Sequence, residues 1–423
     1  MAEYLDITDI VRLRRRCAHF AFGGFSASFI LLLLALAYPV LFLLIIPLFI
    51  TSILGAKGNQ RGALIQAIIA GVLVAILIFD QLSSRIQFHR PSVLLSLIAL
   101  VAFILSLLGL RTTIIYQRLL PSTPYAKDDT GLSVWLARTL VFLRSGKLRY
   151  FLPNFLLFIV FIMIGIGSTI WIMWKSVSLA QHLLELGFPL LLFLCGYIFS
   201  MMIVIMGSYF FYTQAKRGAA LSLKEIRGYD QRSPILLLRS FQDDLTPLYR
   251  KLPLTIWQPS DFYAGVYTLE EAIERVLRRY GPVIAIGRPG ENIPPVGAAR
   301  EYVSNAEWQS KIKDYISQAR LVVIILGKTP GLFWEYQHLA ELSVWGKLVA
   351  LFPPVDEKEM QERWSLFLEA KGDEYDPKIL SDPSKVLLVT YSDDGIPRFL
   401  TCKWKNDEEC YNLALHCGLA AGK

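Results

Sequence analysis

Five long apolar runs occupy the first half of the chain: Gly23–Leu54, Ala63–Phe79, Ser92–Leu110, Phe155–Trp174 and Phe188–Phe211. Runs of this kind restrict a chain severely, because water does not tolerate them in the open and only a helical bundle or a bilayer hides them. The first run is 32 residues long. As one helix it would extend roughly 48 Å at about 1.5 Å per residue, beyond a hydrocarbon core of about 30 Å. Pro39 near its middle therefore predicts two short helices in a hairpin, or a re-entrant segment. Almost all of the excess in a composition that is 54% hydrophobic lies before residue 213.

Charge sets the expected orientation. Residues 111–153 carry Arg111, Arg118, Lys127, Arg138, Arg144, Lys147 and Arg149 against Asp128 and Asp129. Arg12, Arg14, Arg15 and Arg16 precede the first apolar run, and Lys216, Arg217, Lys224 and Arg227 follow the last. The positive-inside bias places all three regions in the cytoplasm. An even number of crossings before residue 111 then gives four there and six in all. The reading is a basic cytoplasmic N-terminus at 1–19, a transmembrane domain of about six spans at 20–212 with a cytoplasmic loop at 111–153, and a linker at 213–233. Within the loop, Trp135, Leu136, Leu140, Val141 and Phe142 interleave with Arg138 and Arg144, a pattern for a helix on the membrane surface. The net charge of +8 follows from this flanking and carries no indication of nucleic acid. Ionisable residues are nearly absent from the runs; Asp80 and Lys175 sit at their ends. That favours an anchor or sensor over a pump, although a transporter of a neutral substrate with a regulatory domain stays open.

From residue 234 to 423 the texture changes. Strands are expected at Pro234–Leu238, Val283–Ile286, Leu321–Leu326, Leu348–Phe352 and Val386–Thr390, separated by helical patterns. Thr268 and Glu271 have capping-box spacing. This alternation predicts an α/β doubly wound domain with a five-stranded parallel sheet. Its ligand crevice would lie beyond the carboxyl ends of the strands, where Arg239, Ser240, Asp243, Gly287, Arg288, Gly327 and Thr329 stand. Arg288-Pro289-Gly290 also reads as a plain turn, and Asp243-Asp244 as a solvated loop start. Cys402, Cys410 and Cys417 near His416 match no zinc spacing, so free thiols and no metal are expected.

The stretch from Ala319 to Leu342 is the most informative. A buried strand ends at Gly327, and Thr329-Pro330 opens a helix as cap and first residue. Glu335, Leu339 and Leu342 fall at i, i+4 and i+7, which sets one carboxylate on the face the leucines should bury. Glu335 is then either a functional group or a partly exposed acid near the helix start.

At these residues the chain resembles the TIR (Toll/interleukin-1 receptor) domain family in a bacterial membrane-linked form. Ser240-Phe241-Gln242-Asp243-Asp244 is similar to the family's first box, Arg288-Pro289-Gly290 to its second-strand loop, and Trp334-Glu335 to its tryptophan and glutamate, here adjacent. Nucleoside deoxyribosyltransferases share a similar strand–helix glutamate ahead of a Gly-Lys turn, here Gly346-Lys347. Both families cleave N-glycosidic bonds. The resemblance implies a flavodoxin-like fold over 234–423 that binds, and hydrolyses, NAD or a related nucleotide as substrate rather than cofactor. It assigns Glu335 as the catalytic carboxylate, Arg239 or Arg288 to the diphosphate, and Trp308 or Trp334 to a base. It further implies a homo-oligomer on activation, and a sensor–effector of the bacterial inner membrane, with both termini cytoplasmic, in defence or stress signalling. A non-catalytic signalling or assembly module on a membrane anchor is the competing reading.

Overall fold

The computed structural model describes residues 3–34, 45–56, 58–83, 90–121, 139–145, 147–179, 203–204, 206–208, 210–215, 217, 220, 222–243, 246–251, 263–287, 296–304, 306–372 and 384–421. In chain order the elements are β1 (Glu3–Asp6), α1 (Thr8–Leu34), α2 (Ile45–Ala56), α3 (Gln60–Ser83), α4 (Arg90–Leu119), α5 (Leu148–Leu179), α6 (Leu223–Arg227), β2 (Ile235–Leu238), β3 (Pro247–Lys251), β4 (Tyr263–Thr268), α7 (Leu269–Leu277), β5 (Val283–Ile286), β6 (Ala299–Glu301), α8 (Trp308–Gln318), β7 (Leu321–Ile325), α9 (Pro330–Glu341), β8 (Leu348–Leu351), α10 (Glu357–Lys371), β9 (Val386–Tyr391), β10 (Pro397–Thr401) and α11 (Glu408–Ala421). The chain forms two compact units. One comprises Met1–Ala126, Thr246–Val276 and Val323–Lys423; the other comprises Lys127–Leu245 and Leu277–Val322.

The expected five-stranded parallel sheet is corrected to an eight-stranded mixed sheet of order β1-β10-β9-β8-β7-β2-β5-β6, with β3 and β4 as a separate antiparallel pair. The five strands anticipated are β2, β5, β7, β8 and β9. Three more extend them, and β9 runs antiparallel to both β8 and β10. The cause of the β9–β10 reversal is local. Asp394-Gly395 makes a hairpin turn in which Gly395 takes φ +76°, its N–H donating to Ser392 O at 2.9 Å, a conformation glycine adopts without steric cost. β6 is three residues long, too short to read as a strand.

The six-span domain is corrected as well. Among the described residues one helical segment, Leu97–Leu119 within α4, is long and apolar enough to cross a membrane, by length and composition. The apolar stretches Gln60–Ala75 and Phe151–Gly165 are shorter, and α2 has 12 residues, about 18 Å against a core of about 30 Å. The run Phe188–Phe211 and the surface-helix residues Trp135, Leu136 and Arg138 lie wholly or largely outside the described residues.

In the first unit α1, α2, α3 and α4 pack around a core of Leu48, Leu73 and Ala99 with Phe25, Ile69, Val74 and Ile98 against it, and many of the other buried positions are small. Ala21, Ala63, Ala67, Ala70, Ala99 and Ala102 are buried, whereas Ile68, Val72, Leu97, Leu100, Val101 and Ile104 are exposed. Two glycines permit the close approach. A Cβ on Gly62 would lie 2.4 Å from Leu54 Cβ, and one on Gly24 would lie 2.7 Å from Ser106 Oγ. Gln66 Nε2 donates across helices to Ala21 O at 2.6 Å. Close contacts at small residues and interhelical hydrogen bonds thus add to the burial of Leu48 and Leu73 in holding the four helices together.

The same unit carries an arrangement that joins the two ends of the chain. β1 pairs in parallel with β10, and the Tyr4 and Phe399 rings stack at 5.1 Å. Lys403 N–H donates to Thr8 Oγ1 at 3.2 Å. Arg14 Nε lies 3.3 Å from Glu409 Oε1, and Arg15 lies 2.5 Å from Asp407 Oδ2 with its guanidinium 4.0 Å above the Trp404 ring. Two of the N-terminal arginines are thus tied to carboxylates at the start of α11. Asp407 and its partner are largely buried, so breaking the pair leaves a charge poorly solvated. Asp407→Asn is expected to destabilise the protein in detergent by about 1–3 kcal/mol. A double-mutant cycle with Arg15→Ala measures the coupling, and strict additivity would show that the pair contributes nothing.

In the second unit α6 is held at its start by Glu225, whose Oε2 accepts from Ser222 N–H at 2.6 Å and from Ser222 Oγ–H at 2.8 Å. Lys147 Nζ donates to Glu225 Oε2 at 2.7 Å. Ahead of β2, Arg232 pairs with Asp230 at 2.8 Å and donates to the carbonyls of Arg278 and Arg279.

Candidate functional site

The residues singled out from the sequence divide between the units. Gly327, Thr329, Trp334 and Glu335 belong to the first. Arg239, Ser240, Asp243, Gly287 and Trp308 belong to the second. Arg288 lies outside the described residues.

β7, whose residues Val323–Ile325 belong to the first unit, is buried along its whole length, and Leu326 N–H continues its hydrogen bonding to Leu351 O at 3.0 Å. Thr329 stands at the N-cap of α9 with extended backbone and Pro330 follows, as the local sequence dictates. The buried stripe of α9 is Leu332, Tyr336 and Leu339, while Leu342 is 45% exposed. Glu335 therefore sits beside that stripe and is half-buried; its Oε2 is shielded from solvent. The offset has a cause. Tyr336 turns inward, and its hydroxyl accepts from Gly327 N–H at 2.9 Å and faces Gly327 O at 3.4 Å, pinning the strand–helix turn.

Trp334, expected to stack on a base, stacks on His338 one turn later, with centroids 5.5 Å apart and planes 12° from parallel. His338 Nδ1 lies 3.0 Å from Glu341 Oε2. Sequence reasoning missed the strongest polar group here, the buried Arg363 of α10. It donates to Leu326 O at 2.7 Å and to Glu359 Oε1 at 2.7 Å. Hydrogen bonding from Arg363 holds the Glu359 carboxyl below the usual range, against an opposing effect of burial. Lys328 adds contacts of 3.7 Å to Glu359 and 3.3 Å to Glu362. The i, i+4 pairing of Glu359 with Arg363 was a signal available in the sequence.

In the second unit the loop after β2 is a compact 3-10 turn, Phe241–Asp243. Arg239, Ser240 and Asp243 are all buried. Ser240 Oγ accepts from Gln242 N–H at 3.2 Å and Ser240 O from Asp243 N–H at 3.0 Å. The Arg239 guanidinium lies 5.8 Å from the Phe241 ring centroid. Gly287 N–H donates to Glu301 O at 2.9 Å, and a Cβ there would lie 2.5 Å from the Tyr302 ring. This glycine makes room for a tyrosine. Trp308 opens α8 and is half-buried. Arg300 of β6 is a second buried arginine that the strand pattern did not reveal. Among the described residues no cluster of three or more metal-ligating side chains occurs.

Chemically, the first unit offers a sheltered carboxylate behind the carboxyl end of a buried strand, and the second a buried arginine at the same kind of position. A carboxylate so placed can stabilise or attack a carbon that develops positive charge. An arginine can hold phosphate oxygens. Comparison of the chain with protein-family models, curated proteins and solved structures finds no match.

Proposed function

We propose that the chain is a membrane-anchored effector whose TIR-like α/β portion binds NAD or a related nucleotide and cleaves its N-glycosidic bond. The observation that carries this reading is Glu335, half-buried in the second turn of the helix after β7 with Oε2 out of contact with water. As nicotinamide leaves, the anomeric carbon gains positive charge and Glu335 supplies the opposing charge or attacks it. The test is release of nicotinamide from NAD by the full-length protein in detergent or nanodiscs, measured with and without conditions that assemble it.

The anchor in this proposal includes the α4 segment Leu97–Leu119, whose exposed Leu, Ile and Val side chains meet lipid. Because β1 and β10 share a sheet, the N-terminal strand and the C-terminal sheet lie on one side of that bilayer, which we take to be the cytoplasmic side of a bacterial inner membrane. Labelling of single cysteines at Glu3 and Arg398 from the opposite side would overturn it.

A second reading, a non-catalytic assembly module on the same anchor, has its own support. The N–H groups of Gly327 and Gly287 are bonded to Tyr336 and to Glu301 O, so neither glycine turn presents that amide to a phosphate. Absence of nicotinamide release in every assembly state selects this reading.

A further inference from the structure

Cys402 follows β10 and Cys410 lies in the first turn of α11. Both are free thiols, 1% and 0% exposed, with their sulfurs 3.2 Å apart. That separation is within hydrogen-bonding contact for thiols, and joining the sulfurs needs a movement of about 1 Å. The two residues bracket the segment that holds the start of α1: Lys403 bonds Thr8, Trp404 underlies Arg15, and Asp407 pairs with Arg15. We propose that Cys402 and Cys410 form a reversible dithiol–disulfide site, with Cys402 as the attacking thiol and a small peroxide as oxidant, whose closure locks this segment around α1.

The surroundings assign the roles. Hydrogen bonding with Cys410 holds the Cys402 thiol below the usual thiol range against the effect of burial, helped by the Trp404 backbone, Thr8 and the Arg15 guanidinium. Burial pushes the Cys410 thiol well up. A thiolate beside an arginine is the reactive form of cysteine. The Arg15 Nε atom is buried with no hydrogen-bond partner among the described residues, so the cation is present without being wholly spent on Asp407.

The steps balance. The Cys402 thiolate attacks one peroxide oxygen, the O–O bond breaks, and hydroxide leaves and takes a proton, giving a sulfenic acid and one water. The Cys410 sulfur then attacks the Cys402 sulfur, the S–O bond breaks, and hydroxide leaves with the Cys410 proton as a second water. Two thiols lose two electrons in total and the peroxide gains them. A dithiol reductant reverses the bond by exchange. Burial of both sulfurs limits the oxidant to small molecules. Cys17 and Cys417 are buried too, and burial raises the Cys417 thiol to about 11, which leaves it protonated and slow.

The full-length protein in detergent, treated with hydrogen peroxide, alkylated and digested with trypsin without reduction, tests the proposal. Lys403 and Lys405 separate the two cysteines, so the bond joins peptide Phe399–Lys403 to peptide Asn406–Lys423. Fragment spectra are expected to place it on Cys410 rather than Cys417, dithiothreitol is expected to remove it, and alkylatable Cys402 is expected to fall about tenfold. In Cys410→Ser, a cyclic 1,3-dione is expected to trap the sulfenic acid on Cys402. Undiminished alkylation of Cys402 after peroxide, a link to Cys417, or direct passage to sulfonic acid would each overturn it. The wild-type digest decides the matter even where the serine variant fails to fold.

Discussion

Glu335→Gln is expected to lower the rate of nicotinamide release by about 10²–10³, the usual loss when one oriented electrostatic group is removed from a charge-developing transition state. The substitution keeps the shape and hydrogen-bonding capacity of the side chain and removes only the charge. Glu335 is not part of the buried stripe Leu332–Tyr336–Leu339, so the variant should melt near the wild type, and a rate loss with an unchanged melt is chemical in origin. NAD affinity should change little, because a cation-stabilising carboxylate acts mainly in the transition state. Equal rates in the two proteins would move the chemistry to another side chain. His338 and Glu341, which face each other at 3.0 Å, would then be replaced in turn.

How much of this could be read beforehand varied with how local the information was. Leu321–Leu326 announced a strand because β-branched, apolar residues follow one another between polar ends, and the structure buries all of β7. The Thr268 cap was equally local, and Glu271 N–H does donate to its hydroxyl at 3.1 Å. The hairpin at Asp394-Gly395 carries its own local signal, an Asp-Gly pair, and Gly395 takes φ +76° there. β1 could not have been found this way. Its four residues are exposed, and its partner Arg398 lies 395 positions from Glu3. Arg14 and Arg15 after it read as membrane-flanking charge because their carboxylates, Glu409 and Asp407, lie at the far end of the sequence.

The apolar runs showed the opposite failure. Composition revealed how much apolar surface the first half carries but not where each helix ends, and which apolar residues are buried, such as Leu48 and Leu73, and which are exposed, such as Leu97 and Leu100, emerges only when helices are packed. At the candidate site, helical periodicity put Glu335 on a face with Leu339 and Leu342. The face rotated because Tyr336 reaches back nine residues to Gly327, a hydrogen bond that no count of apolar residues contains.

Arg363 supports the second large effect. Its side chain is 8% exposed and holds both a strand-end carbonyl and a carboxylate, Leu326 O and Glu359 Oε1. Removing it leaves a buried carbonyl without that donor and a carboxylate without its cation. Arg363→Ala is expected to cost about 2–4 kcal/mol, read as a lower melting temperature of the full-length protein. Arg363→Lys keeps the charge but not the fork that spans two acceptors, so it should recover only part of the loss. The pair also fixes a pH dependence. Because the folded Glu359 carboxyl lies below its ordinary value, its contribution is fully present above the unfolded value of about 4.3. It is lost as pH falls through the folded value. The melting difference between wild type and Arg363→Ala should therefore be constant near neutrality and shrink on acidification below that point. A difference independent of pH down to pH 3 would mean that the carbonyl contact alone carries the stability, with Glu359 a bystander.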